Sequence, residues 1–322
     1  MTPGAHHETK VSTVSETTHN GAVAVGAPSV STADDGLSAA ELAVKYGLSV
    51  SGARPGLVEY TRQLWGRRHF INEFAKARTA AQYTQARLGQ LWQVMTPLLN
   101  AAVYYLIFGL LIGTSRGIDN FIAFLVTGVF IFTFTQSSVL SGVRAVSGNL
   151  GLIRALHFPR ASMPVAFTLM QLQQLLMSMF VLLAIVLMTG EVPDASWLLV
   201  VPALATQWVF NTGMSLIVAR LGSRMTDLAQ LMPFILRTWM YVSGVMYSID
   251  RLAASAPHFV RVVLDVNPAA VYISLMRFAL IDSVTSAQMP PHVWASAVGW
   301  ALVVGVGGYV YFWKAEESYG RG

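Results

Sequence analysis

Six stretches of about twenty residues, nearly bare of charge, constrain this chain more than any other feature. They cover residues 94–113, 121–140, 163–189, 197–221, 228–247 and 293–313. Each matches the roughly 20 apolar residues that a helix needs to cross a hydrocarbon core. Tryptophans stand near their ends, at Trp92, Trp197, Trp294, Trp300 and Trp313, as in the aromatic belts of membrane proteins. Hydrophobic residues make up 54% of the chain and charged ones 11%, against about 25% charge in a soluble domain, so a solvated globular surface is excluded. The expected fold is all-α and integral to a membrane, with six transmembrane helices. An amphipathic interfacial helix precedes them, and a re-entrant helical hairpin joins the fifth to the sixth.

The flanking segments set the organisation. Residues 1–53 are rich in Ser, Thr, Ala, Gly and Val without a continuous apolar core, which reads as a disordered cytoplasmic tail and not a signal peptide. His6, His7 and His19 are scattered through it without metal-ligand spacing, and no metal site is expected. Residues 54–93 look helical and amphipathic, with Leu57, Tyr60, Leu64, Trp65, Ile71 and Phe74 near one face. Arg62, Arg67, Arg68, Lys76 and Arg78 occupy the rest, as in a helix lying among lipid headgroups, with bends at Gly66 and Gly89. The six-helix domain then runs over 94–313, and 314–322 form a short cytoplasmic tail.

Charge asymmetry gives the orientation, because basic loops stay in the cytoplasm. The loop holding Arg144, Arg154 and Arg160 and the turn at Arg220 and Arg224 lie on the side of the basic N-terminal region. Arg116 with Asp119, and Glu191 with Asp194, lie opposite. Both termini are therefore expected in the cytoplasm of a multi-pass protein of a bacterial plasma membrane. Between the fifth and sixth spans, 259–264 and 271–280 read as two short amphipathic helices separated by Asn267-Pro268, a turn-forming pair. A re-entrant hairpin and an external cap both fit.

Residues 149–164, NLGLIRALHFPRASMP, form a basic segment without an acidic neighbour, and Leu150, Ile153 and Leu156 fall on one helical face. A short helix docking into a soluble partner and a turn resting on lipid headgroups both fit this pattern. No enzyme is legible. None of the four lysines follows a glycine, so there is no Walker phosphate loop, and HExxH, GxSxG and cysteine are absent. The spans hold no Asp or Glu, which argues against an ion-coupled transporter. Whatever energy drives this protein must come from elsewhere. The basic residues flank apolar spans, so membrane lipid is the expected anionic contact, and nucleic acid is not.

Within the spans, Arg237 stands out, because a charge at midplane costs at least about 2.5–3.5 kcal/mol on insertion scales. It reads as an anion contact in a pathway, or as a donor to carbonyls freed by Pro233. Aromatics crowd the second and fifth spans, at Phe130, Phe132, Phe134, Trp239, Tyr241 and Tyr247. They suit a pathway for sugar rings or simple packing. Tyr104, Phe108, Phe130, Phe134, Arg237 and Tyr241 are the candidate pathway residues. Gln171, Gln174 and Asn211 are expected to make interhelical hydrogen bonds, and Gly109 with Gly113 to allow close helix approach.

The order of amphipathic arm, six spans and long fifth–sixth connection resembles the ABC-2 family of transport permeases. The similarity is greatest to its polysaccharide-exporting members, the Wzm-type permeases of O-antigen exporters and their teichoic acid and galactan relatives. Residues 83–97, YTQARLGQLWQVMTP, resemble the family motif that leads into the first span, whose Leu-Gly bend, here Leu88 and Gly89, faces an ATPase subunit. Asn149, Leu152, Ile153, Arg154, Phe158 and Pro159 resemble the family's coupling helix, and Ala155 stands where the family often has Lys. Asn267, Pro268 and Arg277 resemble its outer-gate motif. The resemblance implies a permease subunit, not an enzyme on its own, exporting a lipid-linked polysaccharide. It further implies two separate ATPase subunits that hold ATP and Mg, a second copy of this chain, and no cofactor on the chain itself. A small-molecule efflux permease of the same family is the alternative, and an ion-coupled transporter a more distant one.

Overall fold

The computed structural model describes residues 38, 41–42, 45–46, 55–83, 88–89, 91–113, 117–156, 158–249, 257–290 and 292–316. The chain divides into two units, Met1–Ser51 and Gly52–Gly322. In the first, the Ser38 N–H and hydroxyl both donate to Glu41 at 2.7 Å, a capping arrangement that starts a short helical turn. His6, His7 and His19 lie outside the described residues.

Every regular element among the described residues of the second unit is helical. Helices α1 (Leu57–Gly66) and α2 (Arg68–Tyr83) form the arm. Next come α3 (Leu91–Tyr104), α4 (Phe121–Val143), the short α5 (Leu150–Leu156), α6 (Ser162–Met188) and α7 (Val200–Arg224). The chain continues through α8 (Leu228–Val242), α9 (His258–Val266), α10 (Pro268–Leu280) and α11 (Val293–Trp313). Four helical segments are long and apolar enough to cross a membrane, Val94–Leu111, Phe121–Val143, Ser162–Met188 and Val293–Trp313. A fifth is added if the bent pair α9–α10 forms one span.

The central element is α4. It is apolar all round and mostly buried, with α3, α6, α7, α8 and α10 packed about it. Asn120 starts it by accepting from the Ala123 N–H at 3.1 Å. Close packing of α7 on α11 comes from glycine. A Cβ on Gly213 would collide with the Val304 carbonyl, and one on Gly308 with the Gly213 carbonyl, so the two backbones touch directly. Gly109 has a different role: a Cβ there would lie 3.1 Å from Phe121 and 3.2 Å from Tyr105. Its helix widens there into a π-helix, Tyr105–Leu111, before the chain turns at Gly113 with φ +74°.

Three stretches differ in detail from what their pattern suggests. The segment over 228–247 is helical only to Val242. The Ser243 hydroxyl donates to the Trp239 carbonyl at 2.6 Å, and Gly244, at φ +66°, turns the chain away. Its 15 residues extend only ~22 Å, short of a hydrocarbon core of about 30 Å. The segment over 197–221 starts as a 3-10 turn (Ala195–Leu199), and Gln207, Asn211 and Ser215 put a buried polar stripe along α7. The arm turns most of its expected apolar face onto the chain's own core, with Leu64 and Phe74 half-buried there. Tyr60, Ile71, Ala75 and Thr79 are its buried stripe, while Trp65 is 70% exposed. That stripe lies on this chain's own α6 and α11: Phe74 meets Phe167 edge-on at 5.9 Å, and Thr61 and Tyr309 share a hydrogen bond of 2.9 Å.

Candidate functional site: a pinned short helix and a clamped bend

The basic segment after α4 folds as a 3-10 turn (Ser147–Asn149) running into α5. Asn149 anchors it. Its Oδ1 accepts from Arg78 of α2 at 2.8 Å, and its Nδ2 donates to the Ala145 carbonyl at 2.9 Å. The Arg78 guanidinium also lies 5.3 Å from the Phe74 ring centre, a cation–π contact that fixes it. Ile153 and Phe158 are buried, and Phe158 sits 5.1 Å from Phe70 of α2. Pro159 is buried as well, while Leu152 is half-buried and Gly151 and Ala155 are exposed. The apolar face of this helix therefore belongs to the chain's own core, and its outward face is small. The side chains of Arg154 and Leu156, and His157 altogether, lie outside the described residues. At the foot of α3, Leu88 is 50% exposed and Gly89 takes φ +51°, a left-handed bend with open space around it.

Just beyond α5, a polar knot joins three distant segments. The Tyr60 hydroxyl donates to Glu316 at 2.7 Å and accepts from the Ala161 N–H at 3.1 Å. The Arg160 N–H donates to the other Glu316 oxygen at 2.9 Å, and its guanidinium reaches the Glu316 carbonyl. Burial raises the Glu316 carboxyl above the ordinary range, outweighing the Arg160 and Tyr60 hydrogen bonds that oppose it. Burial and the neighbouring Glu316 charge likewise raise the Tyr60 hydroxyl. A carboxyl that holds its proton more tightly in the folded state stabilises the fold at low pH. That contribution fades as pH rises past the unfolded value through the raised folded one. The stability of Glu316→Gln, measured by thermal unfolding in detergent, should accordingly lack this part of the wild-type decline above pH about 4.5. Parallel pH profiles for the two proteins would contradict it.

At the other end of the bundle, α9 and α10 bend by 70° at Asn267. Pro268 opens α10 at its first position, where its missing N–H costs nothing. The Asn267 side chain accepts from the Ala269 N–H at 3.1 Å and the Trp239 indole at 2.8 Å, and donates to Ser243 at 3.1 Å. The bend is thus tied to the end of α8. Arg277 is 5% exposed. It donates to the Phe124, Gly244 and Val245 carbonyls at 3.0, 2.9 and 2.7 Å, and its guanidinium stacks 3.2 Å from the Phe124 ring centre. No ion pair to it occurs among the described residues. It clamps α10 to α4 and to the turn after α8.

Three of the six pathway candidates come together. Tyr104 lies within electrostatic reach of Arg237 and Tyr241, which stand exposed on α8, and its hydroxyl is 3.8 Å from the Met240 sulfur. Phe108 is half-buried on the main core, and Phe130 and Phe134 are buried on α4. Of the expected polar bonds, Gln174 donates to Gln82 of α2 at 2.9 Å. Asn211 is fully buried without a hydrogen-bond partner among the described residues, and it is Gln207 that bonds the Ile131 carbonyl and Thr135 of α4.

Residues 74–281 match the ABC-2 type transporter family. The chain belongs to that family. Two O-antigen export system permease proteins RfbA of Klebsiella pneumoniae are each 28% identical to it. One aligns over 190 residues, 59% of this chain and 71% of the relative. The other aligns over 204 residues, 63% and 76%. The ABC-2 match begins inside α2 and ends just past α10, so α5 with its flanks and the clamped bend fall within it, whereas Tyr60 and Glu316 fall outside. The ABC-2 permease is an integral membrane protein. Sequence reasoning missed Tyr60, Glu316 and the clamp partners of Arg277. The acidic pair Glu316-Glu317 just past the last apolar span, at the headgroup boundary, was the available signal for Glu316.

Proposed function

We propose that this chain is the permease subunit of an exporter that carries a lipid-linked cell-surface polysaccharide out of the cytoplasm. Its similarity to two O-antigen export permeases carries the reading. Two copies of the chain enclose the pathway, and two separate ATPase subunits, which hold the ATP and Mg, drive it. The six-span reading counts α7, and α8 with its turn, as crossings, and treats α9–α10 as a re-entrant hairpin at the outer surface. Both termini, the arm and α5 then lie in the cytoplasm.

In this reading the force of ATPase closure enters at the α5 segment, carried by Asn149, Leu152, Ile153, Arg154, Phe158 and Pro159, and at the Leu88–Gly89 bend. The geometry supports a relay in which partner contact falls on Gly151, Leu152 and Ala155. Buried Ile153 and Phe158 pass the displacement to α2, and through Arg78 and Phe74 to α6. Asn267, Pro268 and Arg277 set the angle of the outer hairpin, and Tyr104, Arg237 and Tyr241 line the path between copies. The test is co-expression with the ABC ATPase of the same exporter. The expected result is a stable complex whose ATP hydrolysis changes on adding the permease. Purification of the permease alone, with that ATPase unbound, refutes the reading.

A further inference from the structure

A cleft between α3, α4 and α6 is lined by Phe130, Phe134, Ser137, Gln171, Gln174 and Ser178, with no charged side chain. Gln171 is nine-tenths buried, yet it has no hydrogen-bond partner among the described residues, and the same holds for Ser137 and Ser178. Gln174, by contrast, is held by Gln82. Gln171 stands nine residues into α6, ~13 Å from the end that follows the coupling segment. An amide left unpaired in so apolar a bundle costs free energy, so the cleft is poised for a hydrogen-bonding guest. The cleft has a volume of about 50 Å³. A chain of water would satisfy the polar atoms but would leave the Phe130 and Phe134 faces wetted, a cost that a ring with both apolar and hydroxyl surfaces removes.

We propose that this cleft seats the uncharged, hydroxyl-bearing headgroup of a membrane lipid, one sugar ring in size. Gln171 and Ser137 bond the hydroxyls, and Phe130 and Phe134 flank the ring's apolar face. The absence of any cation in the lining disfavours a phosphate. The inference rests on the exporter reading for its choice of a glycolipid, and it names a resting place for the lipid-proximal sugar beside the coupling segment.

The test uses the full-length protein in lipid nanodiscs, titrated with n-octyl β-D-glucoside, and follows saturation transfer to the ring protons. Octyl glycerol and octyl tetraethylene glycol serve as parallel probes. The expected result is a saturable glucoside ring signal that weakens about tenfold in Gln171→Leu, the scale of one good hydrogen bond, and is also reduced in Ser137→Ala. Octyl tetraethylene glycol gives tail signals only. A glycerol signal equal to that of the glucoside, a ring signal unchanged by Gln171→Leu, or no saturable ring signal overturns the proposal. Gln171→Leu removes a polar group from an apolar helix, so folding survives and the comparison stays informative. No ATPase enters this measurement, so failure here is separable from failure of the co-purification that tests the exporter reading.

Discussion

Arg277→Met destabilises the protein by about 3–5 kcal/mol, the cost of breaking a buried, fully engaged charge site. The arginine donates to three carbonyls at once: Phe124 on α4, and Gly244 and Val245 in the turn after α8. Methionine fills the volume but removes the donor from the Gly244 and Val245 turn carbonyls, at about 1–3 kcal/mol for each one left unpaired, partly offset because a desolvated charge is no longer buried. Lysine offers three donors from a point and lacks the planar fork, so Arg277→Lys falls between the two. Gly128→Ala supplies an independent check, because its Cβ would lie 2.6 Å from the Arg277 Nη2 and 3.1 Å from the Val245 carbonyl. Thermal unfolding of the purified variants in detergent reads all three. If Arg277→Met melts with the wild type, the residue is no clamp.

The clamp shows what sequence alone leaves open about the two arginines. Arg237 drew attention because it stands inside a long apolar stretch, yet it projects from the exposed face of α8 beside Tyr241. Arg277 lay in a segment that reads as ordinary amphipathic helix, and it is the buried one. Periodicity reports faces of single helices. Which face is buried depended here on the 70° bend at Asn267, which brings α10 against α4, and no local pattern encodes that angle. What could be read was the bend itself, since Asn-Pro both caps and starts a helix. The sixth predicted stretch, 293–313, is α11 to the residue, because apolar length alone defines it. Glycines 213 and 308 were invisible for the opposite reason: their partner lies on another helix some ninety residues away in the chain.

The coupling segment makes the same point with a functional consequence. Its apolar face was correctly located at Ile153, but an amphipathic face does not announce whether it meets a partner or its own chain. The structure puts Ile153 at 4% exposure against the arm, so Ile153→Asp places an unpaired charge in a closed core. The expected cost is roughly 3–5 kcal/mol, and the variant loses monodispersity before it can be assayed for coupling. Ala155→Asp is the informative change. Ala155 is exposed, where substitutions shift stability by about 0.5 kcal/mol or less, so the fold and membrane insertion persist. A new anion on the small outward face of α5, pressed against an ATPase groove, should then weaken the complex by tenfold or more, read as loss of co-purified ATPase and of permease-stimulated ATP hydrolysis. If Ile153→Asp stays monodisperse and uncouples while Ala155→Asp does nothing, the helix docks through its apolar face after all, and the arm must swing away from it in the assembled exporter.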